Sequence, residues 1–115
     1  RVAGVSFGSA TAISIDEGAI HVPVRLVITV QANPGKGDEL AQAMKAYCLA
    51  AGQEPGCEQF ELFHSAHEPD KMVVLELWAD QAALDAHAER NAANPPTIPP
   101  GLRASGGRED YQFER

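Results

Sequence analysis

The sequence predicts an α+β fold in the order β-α-β-β-α-β, and three observations carry that prediction. Two nearly continuous apolar runs, Val24–Val30 and Lys71–Trp78, stand among segments whose apolar residues recur at helical spacing. Pro and Gly punctuate the junctions, at Asn33-Pro34-Gly35, Pro55-Gly56 and Glu68-Pro69-Asp70. A length of 115 residues, 44% of them hydrophobic and 22% charged, accommodates one core and no second lobe.

Residues 1–22 are rich in Gly, Ala and Ser and read as an N-terminal extension. They form either a small hairpin, Thr11–Ile15 with Ala19–Val22 about Asp16-Glu17-Gly18, or an arm. The domain proper spans 23–115. Its first strand, Val24–Val30, is β-branched, and a turn at Asn33-Pro34-Gly35 closes it. A helix follows from Gly37 or Asp38. Asp38 and Glu39 suit its N-terminal dipole, and Leu40, Ala43, Met44, Tyr47 and Ala51 form one apolar stripe. Gly52 and Pro55-Gly56 stop it.

The second strand, Cys57–His64, places Phe60, Leu62 and His64 on one face and Gln59, Glu61 and Phe63 on the other. Lys71–Trp78 is the third. Asp80 then caps a second helix, Gln81 to about Asn91, with Ala83, Leu84, His87 and Ala88 on one side. Asn94–Gly107, holding four prolines and three glycines, reads as a loop, and Arg108–Glu114 as the last strand. This is the order of a ferredoxin-like split βαβ, an antiparallel sheet with both helices on one face.

Two helices leave the other sheet face bare, yet the first and third strands are apolar on both sides. A homodimer packed sheet on sheet, with a barrel-like interior, buries that face. A folded-back N-terminal hairpin is the alternative cover.

Nine Lys plus Arg against sixteen Asp plus Glu give a formal charge of −7, which disfavours nucleic acid and anionic membranes as partners. No apolar run approaches the roughly 20 residues that span a bilayer. Cys48 and Cys57 form no C-x-x-C pair and read as small buried hydrophobes in a reducing compartment, with cytoplasm the default location. Arg1–Ala10 has no basic flank followed by an apolar secretory core. Neither G-x-G-x-x-G nor H-E-x-x-H occurs, so neither cofactor nor metal is expected.

Four motifs carry a family resemblance: Pro34-Gly35-Lys36, Glu54-Pro55-Gly56-Cys57, Glu76-Leu77-Trp78 and Ala82-Ala83-Leu84-Asp85-Ala86-His87. Across Val24–Arg90 the chain resembles the antibiotic biosynthesis monooxygenase family of the dimeric α/β-barrel superfamily. The resemblance implies a small-molecule pocket between helices and sheet. It also implies cofactor-independent oxidation by O₂ of a small aromatic substrate, a phenol or hydroquinone, to a quinone. An isomerase, lyase or cyclase using a pocket His, or a binding module without catalysis, are the alternatives on this scaffold.

Candidate residues follow. His87 projects from the inner helix face and is a natural base near neutral pH; His64 on the second strand is the other candidate. Either would equally serve as a core histidine. Glu76 shares a strand face with Trp78, and in a dry pocket its pKa would rise. The alternative for Glu76 is a structural carboxylate bonded to backbone amides or to an Arg such as Arg25. Trp78 occupies the position that in the family often lines the substrate pocket. Tyr47, Val74 and Phe63 complete the expected lining. Val74 stands where some family oxygenases have Asn, which departs from the usual quinone-forming site.

Overall fold

The computed structural model describes residues 21–115. The Thr11–Ile15 and Ala19–Val22 hairpin lies, up to residue 20, outside the described residues. Six elements follow in the expected order: β1 (Val24–Ala32), α1 (Gly37–Ala51), β2 (Cys57–His64), β3 (Lys71–Trp78), α2 (Gln81–Ala93) and β4 (Arg103–Gln112). They build one antiparallel sheet in the order β2-β3-β1-β4.

Alternation along the strands sets the two faces of the sheet. Val24, Leu26 and Val30 of β1 are buried toward the helices with Met72, Val74, Glu76 and Trp78 of β3 and Phe60 of β2. Leu40, Cys48 and Ala51 of α1 and Leu84 of α2 close this core. The opposite face presents Val27, Val73, Leu75 and Leu77, half-buried, with Phe63 and Tyr111 exposed.

The junctions show why the helices start where they do. The backbone amides of Gly35 and Gly37 donate to the two carboxylate oxygens of Asp70, at 2.9 and 2.8 Å. An anion from the β2–β3 turn thus sits at the positive end of α1. A Cβ at Gly37 would overlap the Pro69 carbonyl oxygen, so the approach needs glycine. At α2, Asp80 Oδ1 accepts from the Ala83 amide at 2.9 Å, as an N-cap does.

The last strand differs from its expected bounds. It begins at Arg103 rather than Arg108, and takes in Ser105-Gly106-Gly107. Those glycines read as loop but pair with Val30 and Thr29 of β1. A Cβ at Gly106 would meet the Arg103 guanidinium and lie 2.9 Å from the Thr29 carbonyl oxygen, so this edge strand passes too close for a larger residue. Both cysteines are free; burial raises the Cys48 thiol and pushes Cys57 up to about 11, so both remain thiols at neutral pH.

Candidate active site

The inner turns of α2, the end of α1 and the helix-facing side of the sheet enclose a cleft of about 330 Å³. Its lining includes Tyr47, Glu76, His87, Asn91 and Arg108, with Leu26 and Leu84 as apolar wall. That volume lies at the small end of the range of ligand pockets.

His87 is 5% exposed. Its Nδ1 lies 2.9 Å from Glu54 Oε1, an oxygen that also accepts from the Arg90 guanidinium at 2.8 Å. A carboxylate has no hydrogen to give, so Nδ1 carries a proton, and in the neutral ring Nε2 then presents its lone pair. Around Nε2 sit the Asn91 amide nitrogen at 3.2 Å and the Tyr47 hydroxyl at 3.3 Å. Asn91 also donates to the Tyr47 hydroxyl oxygen at 2.9 Å. Burial raises the Tyr47 pKa, only partly offset by the bond from Asn91, so the phenol stays protonated. The imidazole is packed 4.8 Å from the Trp78 ring and 5.6 Å from Phe60.

Glu76 is 6% exposed, and burial raises its pKa against the counteracting pull of the Trp78 N–H, His87 and Arg108. Trp78 Nε1 donates to its Oε1 at 2.9 Å. Arg25 is not its side-chain partner. Arg25 pairs across the strands with Leu77 and projects to the other face, where it donates to the Gln59 side chain. Arg108 reaches the cleft from β4, where Asp110 holds its guanidinium through two bonds of 2.8 Å.

The site therefore gathers His87, Glu76 and Tyr47 but not every expected residue. His64 is exposed at the far end of β2, opposite Met72, beside a separate surface groove with Lys45. Phe63 faces the opposite side of the sheet and is 42% exposed. Val74 and Trp78 are core residues beneath the site, and the indole N–H is already engaged by Glu76. Glu54, Asn91 and Arg108 were not singled out as site residues. Asn91 was findable, four residues after His87 on the same helical face. Glu54 carries no periodic signal, since it sits in the loop after α1. Among the described residues no group of three or more His, Cys, Asp or Glu is placed to hold a metal ion, and no helix is long and apolar enough to cross a membrane.

The chain is thus a ferredoxin-like α+β domain with a buried histidine–carboxylate pair at the helical face of its sheet. The chain belongs to the antibiotic biosynthesis monooxygenase family, whose model matches residues 23–93. The solved structure of PA3566 from Pseudomonas aeruginosa is 22% identical, with a TM-score of 0.69, over 85% of this chain and 100% of that one. SO0527 from Shewanella oneidensis is 26% identical, with a TM-score of 0.67, over 82% and 93%. The uncharacterized protein sll1783 of Synechocystis is 25% identical over 65 residues, which are 56% of this chain. The match spans only 44% of that protein's length.

Proposed function

We propose that this protein is a monooxygenase that oxidises a hydroxylated aromatic, a phenol or hydroquinone, to a quinone with O₂. The observation that carries this reading is the His87 imidazole, fixed by Glu54 through Nδ1 so that Nε2 stands as a base at the inner cleft. His87 takes the phenolic proton, and the electron-rich phenolate passes an electron to O₂. The radical pair joins as a ring peroxide. Loss of water then leaves one oxygen atom on the ring, as the second quinone carbonyl from a phenol and as the extra oxygen of a hydroxyquinone from a hydroquinone. The substrate supplies all four electrons, so no outside reductant is needed. The cleft contributes orientation and exclusion of water.

O₂ uptake and quinone absorbance over a panel of naphthols and hydroquinones test this. Uptake should be matched by quinone, and His87→Gln should lower the rate by about 10²–10⁴-fold. No uptake with any member sinks the reading. The His87–Glu54 pair could equally shuttle protons without O₂, in an isomerase or lyase; turnover under strict anaerobiosis would select that second reading.

The protein is further proposed to act as a homodimer joined through the sheet face that bears Val27, Val73, Leu75 and Leu77. Those side chains form an apolar band that the helices do not cover. Sedimentation should give a dimer, and Leu75→Glu a monomer.

A further inference from the structure

The mechanism above uses a base, yet a second proton-bearing group faces the same cleft. Glu76 is more than nine-tenths buried. Its Oε1 is taken by the Trp78 N–H, and among the described residues Oε2 has no hydrogen-bond partner. An N–H donor needs an acceptor, so Oε1 is the carbonyl-like oxygen and any carboxyl proton resides on Oε2. Glu76 and His87 line the same cleft from the sheet and from α2.

We propose that Glu76 is the general acid of this site, donating the Oε2 proton to the departing oxygen of the substrate peroxide, while His87 works as the base. This rests on the oxygenase reading. In the step, protonated His87 first returns the phenolic proton to the peroxide anion, giving a hydroperoxide. The O–O bond then breaks heterolytically and the distal oxygen leaves as water with the Glu76 proton. His87 removes the hydrogen from the peroxide-bearing carbon, and its electron pair becomes the new C=O bond. The protonated His87 then returns a proton to the Glu76 carboxylate, which restores both groups.

The surroundings favour this division of labour. Facing Glu76 are His87 on α2, Arg108 and Asp110 on β4, and Tyr47 and Cys48 on α1, with Cys57 on β2. Burial is the largest influence on the carboxyl and keeps its proton on to higher pH. Two titratable groups in one cleft, one desolvated and one bonded to a carboxylate, have the acid and base assignments set by environment.

Glu76→Gln tests the proposal, because the amide oxygen still accepts from Trp78 and the shape is kept. Quinone formation should fall about 100-fold, with organic hydroperoxide or hydrogen peroxide accumulating against consumed O₂. Glu76→Asp, which shortens the reach but keeps an acid, should recover part of the quinone yield. In the infrared, wild type should show a protonated-carboxyl stretch that persists above the range of exposed carboxylates, and Glu76→Gln should lack it. An active wild type whose Glu76→Gln variant gives unchanged quinone per O₂ overturns the role of Glu76 alone. So does a Glu76 band that titrates with the exposed carboxylates. A wild type that consumes no O₂ overturns the oxygenase reading and this role together.

Discussion

Replacing Trp78 by Phe probes the bond that orients the buried carboxyl. Trp78 is fully buried, and its N–H donates to Glu76 Oε1 at 2.9 Å. Leaving that buried acceptor unpaired costs about 1–3 kcal/mol. Shrinking indole to phenyl adds about 1–2 kcal/mol, below the ~3–5 kcal/mol of a full truncation to Ala. The single variant should therefore lose about 2–5 kcal/mol of unfolding free energy. In a Glu76→Leu background the acceptor is already gone, so the same substitution should cost only the packing part, about 1–2 kcal/mol. Urea denaturation of all four proteins, at one fixed protein concentration, measures the difference. Equal cost of Trp78→Phe in both backgrounds refutes the claim that this hydrogen bond is what orients Glu76.

Three further outcomes are expected. Glu54→Gln should lower kcat about 10–100-fold and change the pH–rate profile, because it removes the carboxylate that fixes the His87 tautomer; an unchanged profile would remove Glu54 from that role. Glu76 has a raised native pKa, so folding takes up a proton above the ordinary glutamate range. The associated stability is whole below that range and is lost as pH rises through the native pKa. Wild type should thus lose ground to Glu76→Gln as pH rises above the ordinary glutamate range, as read by denaturation midpoints at each pH. Gly37→Ala should cost about 1–3 kcal/mol, because its Cβ has no space beside the Pro69 carbonyl; a neutral result would mean that the β2–β3 turn yields freely.

The central strands and both helices were legible because each buries one face, and burial writes periodicity into a sequence. Val24–Ala32 and Lys71–Trp78 are the two inner strands of the sheet and carry apolar residues at both parities, so they stand out as runs. Every residue of β4 is exposed, so Arg103–Gly107 left no such trace. Asp80 was readable as a cap because that role is local. Asp70, the anion that actually holds the start of α1, is distant in sequence and was not.

The two histidines show the same limit within the site. The sequence puts His87 on the inner face of its helix and His64 on the same strand face as Phe60, which in the structure is the face that the helices cover. The antiparallel β2–β3 register, however, sets His64 opposite Met72 while Trp78 lies opposite Cys57. Six strand residues separate the two levels, about 20 Å. The short turn after His64 already contained that information. Glu54 opens the Glu54-Pro55-Gly56-Cys57 motif, yet its spacing carries no sign of His87, since only the folded loop brings the two together.

The chain has one tryptophan, and its ring lies 4.8 Å from the imidazole of His87 while its N–H rests on Glu76. A protonated imidazole withdraws excitation from a nearby indole, and the charge of a carboxyl beside the N–H moves its emission. The candidate catalytic pair is therefore wired to the molecule's own fluorophore. Proton movement between His87 and Glu76 becomes an optical signal that needs no label, readable in stopped flow on the timescale of a single turnover.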